Sequence, residues 1–223
     1  MYRPADAQVS RPMERILDLY TQPYDPQRPL WCVDERPCQL LGDTLVPIAM
    51  QPGKKWRYDH HYERHGVCHL LIAFQPHTGQ RFVQIRQRCM AQDYAAFIVE
   101  LKTKHNPHAE TLVLVQDNLN IHDPSSFYTL LPPAEALALS KQVAMHYTPV
   151  NASWLNMAEI ELSVIARQCL DRRIDSQERL EQEVLTLVEE RNRQAATVRW
   201  QFTPTGAVKF QRFYPKLAAN PTA

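Results

Sequence analysis

Residues 30–35, Leu-Trp-Cys-Val-Asp-Glu, and residues 111–117, Thr-Leu-Val-Leu-Val-Gln-Asp, decide how this chain reads. The first is an apolar run of strand type that ends at Asp34-Glu35. The second is continuously apolar, as expected of a strand buried on both faces, and ends at Asp117. Ligand sites in open α/β sheets gather at the carboxyl ends of strands, where side chains leave the packed core. Parallel, neighbouring strands here would therefore bring the carboxylates of Asp34 and Asp117 together.

The segments around these runs fit such a sheet. Val67 to Phe74 (VCHLLIAF) and Gln80 to Arg86 (QRFVQIR) read as two strands joined by the hairpin chemistry of residues 75–79, Gln-Pro-His-Thr-Gly. Ala91 to His105 carries Tyr94, Phe97, Ile98 and Leu101 at helical spacing. Residues 124–141 read as short helices broken at Pro132-Pro133, and Val143 to Tyr147 as a fifth strand stopped by Pro149. A polar loop, 151–156, leads into a helix from about Met157 to Arg173. A second helix, about Ser176 to Gln194, sets Leu180, Val184, Leu187 and Val188 on one face, a packed cover or a dimer element. Residues 36–65 show little periodicity and read as a long insertion with a possible hairpin. The order predicts an α/β fold, a mixed sheet of about five strands flanked by helices. The expected organisation is a linker or leader over 1–28 with a short helix at Met13–Tyr20, a catalytic core over 29–175, and a C-terminal helical extension over 176–223.

Composition narrows the class. Of 223 residues, 44% are hydrophobic and 22% charged, as in a soluble globular protein. No apolar run approaches the roughly 20 residues of a membrane span, and Met1 to Asp6 has no apolar signal region, so a cytoplasmic protein without membrane contact is expected. The five cysteines are scattered without a C-x-x-C pair, against a disulfide framework or zinc ribbon. His61, His65 and His69 fall at i, i+4 and i+8, but Gly66 interrupts any helix there, against a zinc site. A net charge of +1 is low for a chain whose main task is gripping DNA; either its basic residues cluster or the gripping module lies elsewhere.

A third acid completes the pattern. Glu159 lies in the first turn of the helix after the polar loop, at the positive end of its dipole. Glu161 is two residues on, about 200° round the helix, and cannot share a site with it. The spacing alone does not choose between them. Glu35 follows Asp34 on an extended chain and points to the opposite face. Three converging carboxylates repel unless cations stand among them. Oxygen-only ligands select Mg²⁺ or Mn²⁺, and two such ions about 4 Å apart can clamp an in-line phosphodiester displacement. Asp34 would bridge both ions, and Asp117 and Glu159 would each complete one shell.

Around these acids the chain reads CVDERPC at 32–38, VQDNLNIH at 115–122 and HYTPVNASWLNMAEIE at 146–161. In this order the three motifs resemble the DDE catalytic domain of bacterial insertion-sequence 630 family transposases, relatives of the Tc/mariner elements, from about residue 15 to 215. The resemblance implies a ribonuclease H-like fold and assigns the catalytic and metal-binding triad to Asp34, Asp117 and Glu159, favouring Glu159 over Glu161. The third motif departs from the family's N-P-I-E pattern, with Met157 and Ala158 in the middle places. The spacing from Asp117 to Glu159 (159 − 117 = 42) exceeds that of mariner relatives, with the extra residues expected around Pro132 to Lys141. The implied chemistry is hydrolysis at an element's end followed by strand transfer to target DNA, with two Mg²⁺ or Mn²⁺ ions.

The implied partners are DNA ends and target, a second copy in a homodimer, and a helix-turn-helix half. About 30 residues precede the first strand, too few for such a module, so that half is expected from a separate reading frame. The alternatives are a catalytically silent remnant that binds or dimerises, and another ribonuclease H-like nuclease such as a junction resolvase. For DNA contacts the expectation falls on Lys54, Lys55 and Arg57, with Arg64, Arg167, Arg172 and Arg173 as further phosphate contacts. His122 is weighed as a phosphate contact or water-orienting group against a loop hydrogen bond. Trp154 is weighed as a base-stacking ring against a packing anchor. Asn118 and Asn156 read as residues that fix loop geometry.

Overall fold

The computed structural model describes residues 7–45, 52–53, 60–150, 152–198 and 200. Five strands form one mixed sheet: β1 (Leu30–Asp43), β2 (Tyr62–Gln75), β3 (Gln80–Arg86), β4 (Leu112–Gln116) and β5 (Val143–Tyr147). Their order is β3-β2-β1-β4-β5. The first three pair antiparallel as a meander, and β4 and β5 continue parallel to β1. The helices are α1 (Ala7–Thr21), α2 (Ala91–Glu100), α3 (Pro133–Lys141), α4 (Ala158–Gln168) and α5 (Gln177–Arg193). No described helix is long and apolar enough to cross a membrane.

Strand side chains alternate between two faces, and each face has its own core. Cys32, Ile72, Phe74 and Val115 point to one face, under α1, α4 and α5. Trp31, Val33, Leu71 and Leu114 point to the other, under α2 and α3 with Tyr94, Phe97, Phe127 and Leu139. Every residue of β4 is buried, which accounts for its unbroken apolar run.

Four elements, β1, β2, α1 and α4, differ from the expectation. β1 does not stop at Asp34-Glu35 but runs to Asp43, with Cys38 and Leu40 buried while Pro37 and Gln39 are exposed. Its pairing with β4 covers only Leu30 to Cys32, so from Asp34 on it is bonded on one side alone, the setting in which Pro37 is tolerated. Of the stretch expected as an insertion over 36–65, residues 36–43 continue β1 and residues 62–65 open β2. Gly66, at φ +115°, sits where the β1–β2 register shifts beside Leu40/Leu41, a bulge that a side chain would strain.

Within the expected leader, α1 is longer than the helix expected there. It packs Met13, Ile16 and Leu17 into the sheet at helical spacing. The C-terminal helix α5 inserts Leu180, Val184 and Val188 into that same core, so packing is its use. α4 is shorter than expected and ends at Gln168; the chain then turns so that Ile174 accepts a hydrogen bond from Leu41 N–H at 2.8 Å.

Candidate active site

The parallel register sets the site. Cys32 pairs with Val115, and Asp34 and Asp117 each lie two residues further on. Two residues along a strand return to the same face, so Asp34 leaves β1 on the side of Cys32, and Asp117 follows the last residue of β4 at the same level. β4 ends at Gln116 while β1 continues, which opens a notch beside Asp34.

Asn156 ties the third element to that notch. Its side-chain amide donates to Val33 O at 2.8 Å and to Asp34 Oδ2 at 3.3 Å, while its Oδ1 accepts the Ala158 N–H at 3.1 Å. The start of α4 is thereby pinned to β1. Tyr20 of α1 adds support from below, donating its hydroxyl to Leu155 O at 2.6 Å. Asn156 is 1% exposed and fixes the loop as its type suggested.

Asp34 feels its neighbours. Burial first, then the charges of Glu159, Glu35 and Asp117, push its carboxyl up to about 7, against the pull of the Glu35 N–H that its Oδ1 accepts at 2.9 Å. The groups that raise it besides burial are all carboxylates.

The structure separates the two glutamates that spacing could not. Glu161 is 1% exposed and lies between two guanidinium groups. Arg81 of β3 donates to its two oxygens at 2.7 and 2.8 Å, and Arg191 of α5 at 2.9 and 3.0 Å. Burial alone would raise this carboxyl; the two arginines outweigh it and hold it below the usual range. Asn192 braces Arg81 by accepting its N–H at 2.8 Å and donating to its carbonyl at 2.9 Å. Glu161 is thus a neutralised structural group, whereas Glu159 is exposed in the first turn of α4 and acts on Asp34 by charge.

Asp117 carries a buried companion. His122, with a ring 1% exposed, places Nδ1 2.7 Å from Asp117 Oδ1 and Nε2 3.0 Å from Glu35 Oε2. Carboxylates only accept, so both ring nitrogens donate. Burial disfavours the charged imidazole, yet the Glu35 hydrogen bond and the charges of Glu35 and Asp117 outweigh it and hold His122 above its ordinary value. His122, expected as a DNA contact, is buried with both ring nitrogens on carboxylates. Glu35 does point away from Asp34, towards α2, but that face is where His122 lies. Sequence reading missed this link because the partners are 87 residues apart (122 − 35) and only the strand register joins them.

The donor set suits a hard divalent cation: oxygen atoms alone, with the carboxylates of Glu159, Glu35 and Asp117 acting on Asp34. The acids are not closed into a finished cage, however. Among the described residues no three His, Cys, Asp or Glu side chains form a group that could hold a metal ion, His61, His65 and His69 included.

The expected DNA contacts are scattered. Lys54, Lys55 and Arg57 lie outside the described residues. Arg64 is exposed at the start of β2 and bonds the Tyr62 hydroxyl at 3.4 Å. Arg172 and Arg173 form ion pairs with Glu183 and Asp43 at 2.5 and 2.7 Å, and Arg167 bonds Ser163 at 2.8 Å. Trp154 is half-buried and packs against the core, the position of an anchor.

Comparison with known proteins follows this geometry. The family model for DDE superfamily endonuclease matches residues 29–181. No curated protein matches the chain. Among solved structures, the chain is similar to the Mos1 mariner paired end complex with Mn, with a TM-score of 0.58 and 14% identity over 87% of this chain and 60% of that one. The Mos1 strand transfer complex gives 0.57 and 12% over the same shares, and the Mos1 transposase paired-end complex with left transposon end gives 0.54 and 15% over 87% and 61%. The fold is thus the ribonuclease H-like one, and the chain spans about 60% of the length of these matched chains.

Proposed function

The chain belongs to the DDE superfamily endonucleases, and on that premise we propose that it is the catalytic unit of a DNA transposase of Tc/mariner type. The observation that carries the reading is Asp34, whose carboxyl is raised by burial and by the charges of Glu159, Glu35 and Asp117 at the open end of β4. In this reading Asp34, Asp117 and Glu159 are the catalytic acids and the ligands of two Mg²⁺ or Mn²⁺ ions. The ions, when bound, neutralise charge on the phosphodiester and activate the attacking oxygen. The chain's own part is positioning. β1 and β4 set two acids at one level, Asn156 holds the start of α4 against them, and the Glu161 clamp fixes the turn that carries Glu159.

The finer reading is an insertion-sequence 630 transposase. It cleaves at the element's terminal repeats and joins the 3′ ends to target DNA, as a homodimer, with a helix-turn-helix half supplying most of the grip. Lys54, Lys55 and Arg57 are then backbone contacts, and the protein works in the cytoplasm at the nucleoid. The net charge of +1 agrees with a grip located in another unit.

The test is Mn²⁺-dependent cleavage, measured as nicking of supercoiled plasmid and as cleavage of element ends with the helix-turn-helix half supplied. Asp34→Asn, Asp117→Asn and Glu159→Gln should each abolish cutting while circular dichroism stays that of the folded protein. Near-full activity in any of the three removes that residue from the triad, and activity in all three sinks the reading.

A further inference from the structure

We infer that Glu35 and His122 are positioning residues that fix the carboxylate of Asp117 for metal binding; this rests on the metal-binding reading of Asp117 proposed above. Asp117 needs such help. It follows the last residue of β4, its side chain is 46% exposed, and no strand neighbour constrains it. A carboxylate in that setting rotates freely, and a mobile ligand loses rotamer entropy when it binds.

The imidazole removes that freedom for one oxygen. Asp117 Oδ1 accepts from His122 Nδ1 at 2.7 Å and from the Leu119 N–H at 3.2 Å. Committing Oδ1 leaves Oδ2 as the atom with which Asp117 takes a new ligand. An imidazole held only by Asp117 would swing with it, so the far end must be fixed as well. Glu35 does this from β1, at 3.0 Å from Nε2.

The rest of His122 is anchored independently. Its ring packs against Tyr94 of α2 with centroids 4.8 Å apart. Its carbonyl accepts from Tyr147 Oη of β5 at 2.7 Å and from Gln116 Nε2 at 3.1 Å. Gln116 Oε1 in turn accepts from Tyr94 Oη at 2.8 Å. Residues from β1 and α2 thus hold the buried ring and residues from β4 and β5 hold its backbone, and the ring's outward contact is Asp117. A histidine serving only its own loop would need none of the Glu35 contact. Partners of this kind, one step removed from the metal, typically govern affinity by 10- to 100-fold, roughly.

The experiment is calorimetric titration of the full chain with Mn²⁺, with and without a duplex DNA fragment. The proteins compared are the wild type, Asp117→Asn, Glu35→Gln, His122→Gln and the double variant. Electron paramagnetic resonance of the bound Mn²⁺ and thermal unfolding accompany each titration. Glu35→Gln should weaken Mn²⁺ binding by roughly 10-fold and alter the spectrum of the bound ion, with the unfolding transition kept. The loss in the double variant should fall well short of the sum of the two single losses, because the positioning effect of Glu35 passes through the imidazole and only its charge reaches Asp34 directly.

Wild-type affinity and spectrum in Glu35→Gln, beside loss of binding in Asp117→Asn, overturns the inference and leaves the metal site standing. Additive losses in the double variant also overturn it. Wild-type affinity in Asp117→Asn, or no saturable Mn²⁺ binding by the wild type in either condition, removes the metal reading and this inference with it. Should His122→Gln fail to fold, Glu35→Gln, whose side chain is 16% exposed, decides alone.

Discussion

At the scale of single residues, half-buried Asp34 and buried Glu161 show two ways of housing an acid. Asp34 sits among like charges, and its carboxyl is pushed up to about 7 from an ordinary 3.8. Between those values the metal-free folded state holds a proton that the unfolded chain releases. Stability therefore falls as pH rises from about 4 to 7 and levels off above. Urea midpoints measured with a chelator at pH 5 and pH 7.5 should show this loss in the wild type and a smaller one in Asp34→Asn; equal losses would rule it out. Glu161 is the opposite case, matched by Arg81 and Arg191. Arg81→Ala leaves that buried carboxylate half-compensated and should cost about 3 kcal/mol, read from urea unfolding. A loss within experimental error would show that Arg191 suffices. The two glutamates of α4 also mark a limit of reading by spacing. Both are acids in the first turn, and only the long-range approach of β3 and α5 assigns one of them to structure.

At the scale of elements, legibility followed burial. β4 is buried on both faces, so its apolar run announced itself and placed Asp117 at its end. β1 was legible only to Val33, because beyond that point it loses its β4 partner and takes on charges and Pro37, which look like loop. Asp34 lies inside its strand and yet beside an opening. The reason is that the shorter neighbour ends there, and not that its own strand does. The β2–β3 turn was legible from its Gly-bearing composition, and its glycine is under strict demand. Gly79 has φ +70°, and an added Cβ would lie 2.7 Å from the carbonyl carbon and oxygen of Ala195. Gly79→Ala should destabilise by roughly 2 kcal/mol, the left-handed backbone and the contact acting together. A stability equal to the wild type in thermal unfolding would show that the segment after α5 yields.

At the scale of the whole molecule, the expected boundary at residues 175/176 crosses a continuous core. Leu180, Val184 and Val188 of α5 are buried against the same face as α1 and α4. Three such side chains contribute about 6 kcal/mol, a large part of the roughly 5–15 kcal/mol that holds a domain together. A chain ending at residue 175 should therefore lose cooperative unfolding, seen as a sloping melt in place of a transition. A sharp transition would show that α5 is dispensable. The amphipathic pattern of α5 was plain in the sequence, but the identity of its partner surface was not. A helix face states that it must be covered without naming what covers it.

The arginine clamp also has a bearing on timing. Glu161 receives its second guanidinium from Arg191, 30 residues further along the chain. During synthesis the three acids leave the ribosome well before that cation does. For this interval the nascent chain holds Glu161 against Arg81 alone, and the turn bearing Glu159 is not yet locked. A turn assembled in this order is not locked until α5 has been made.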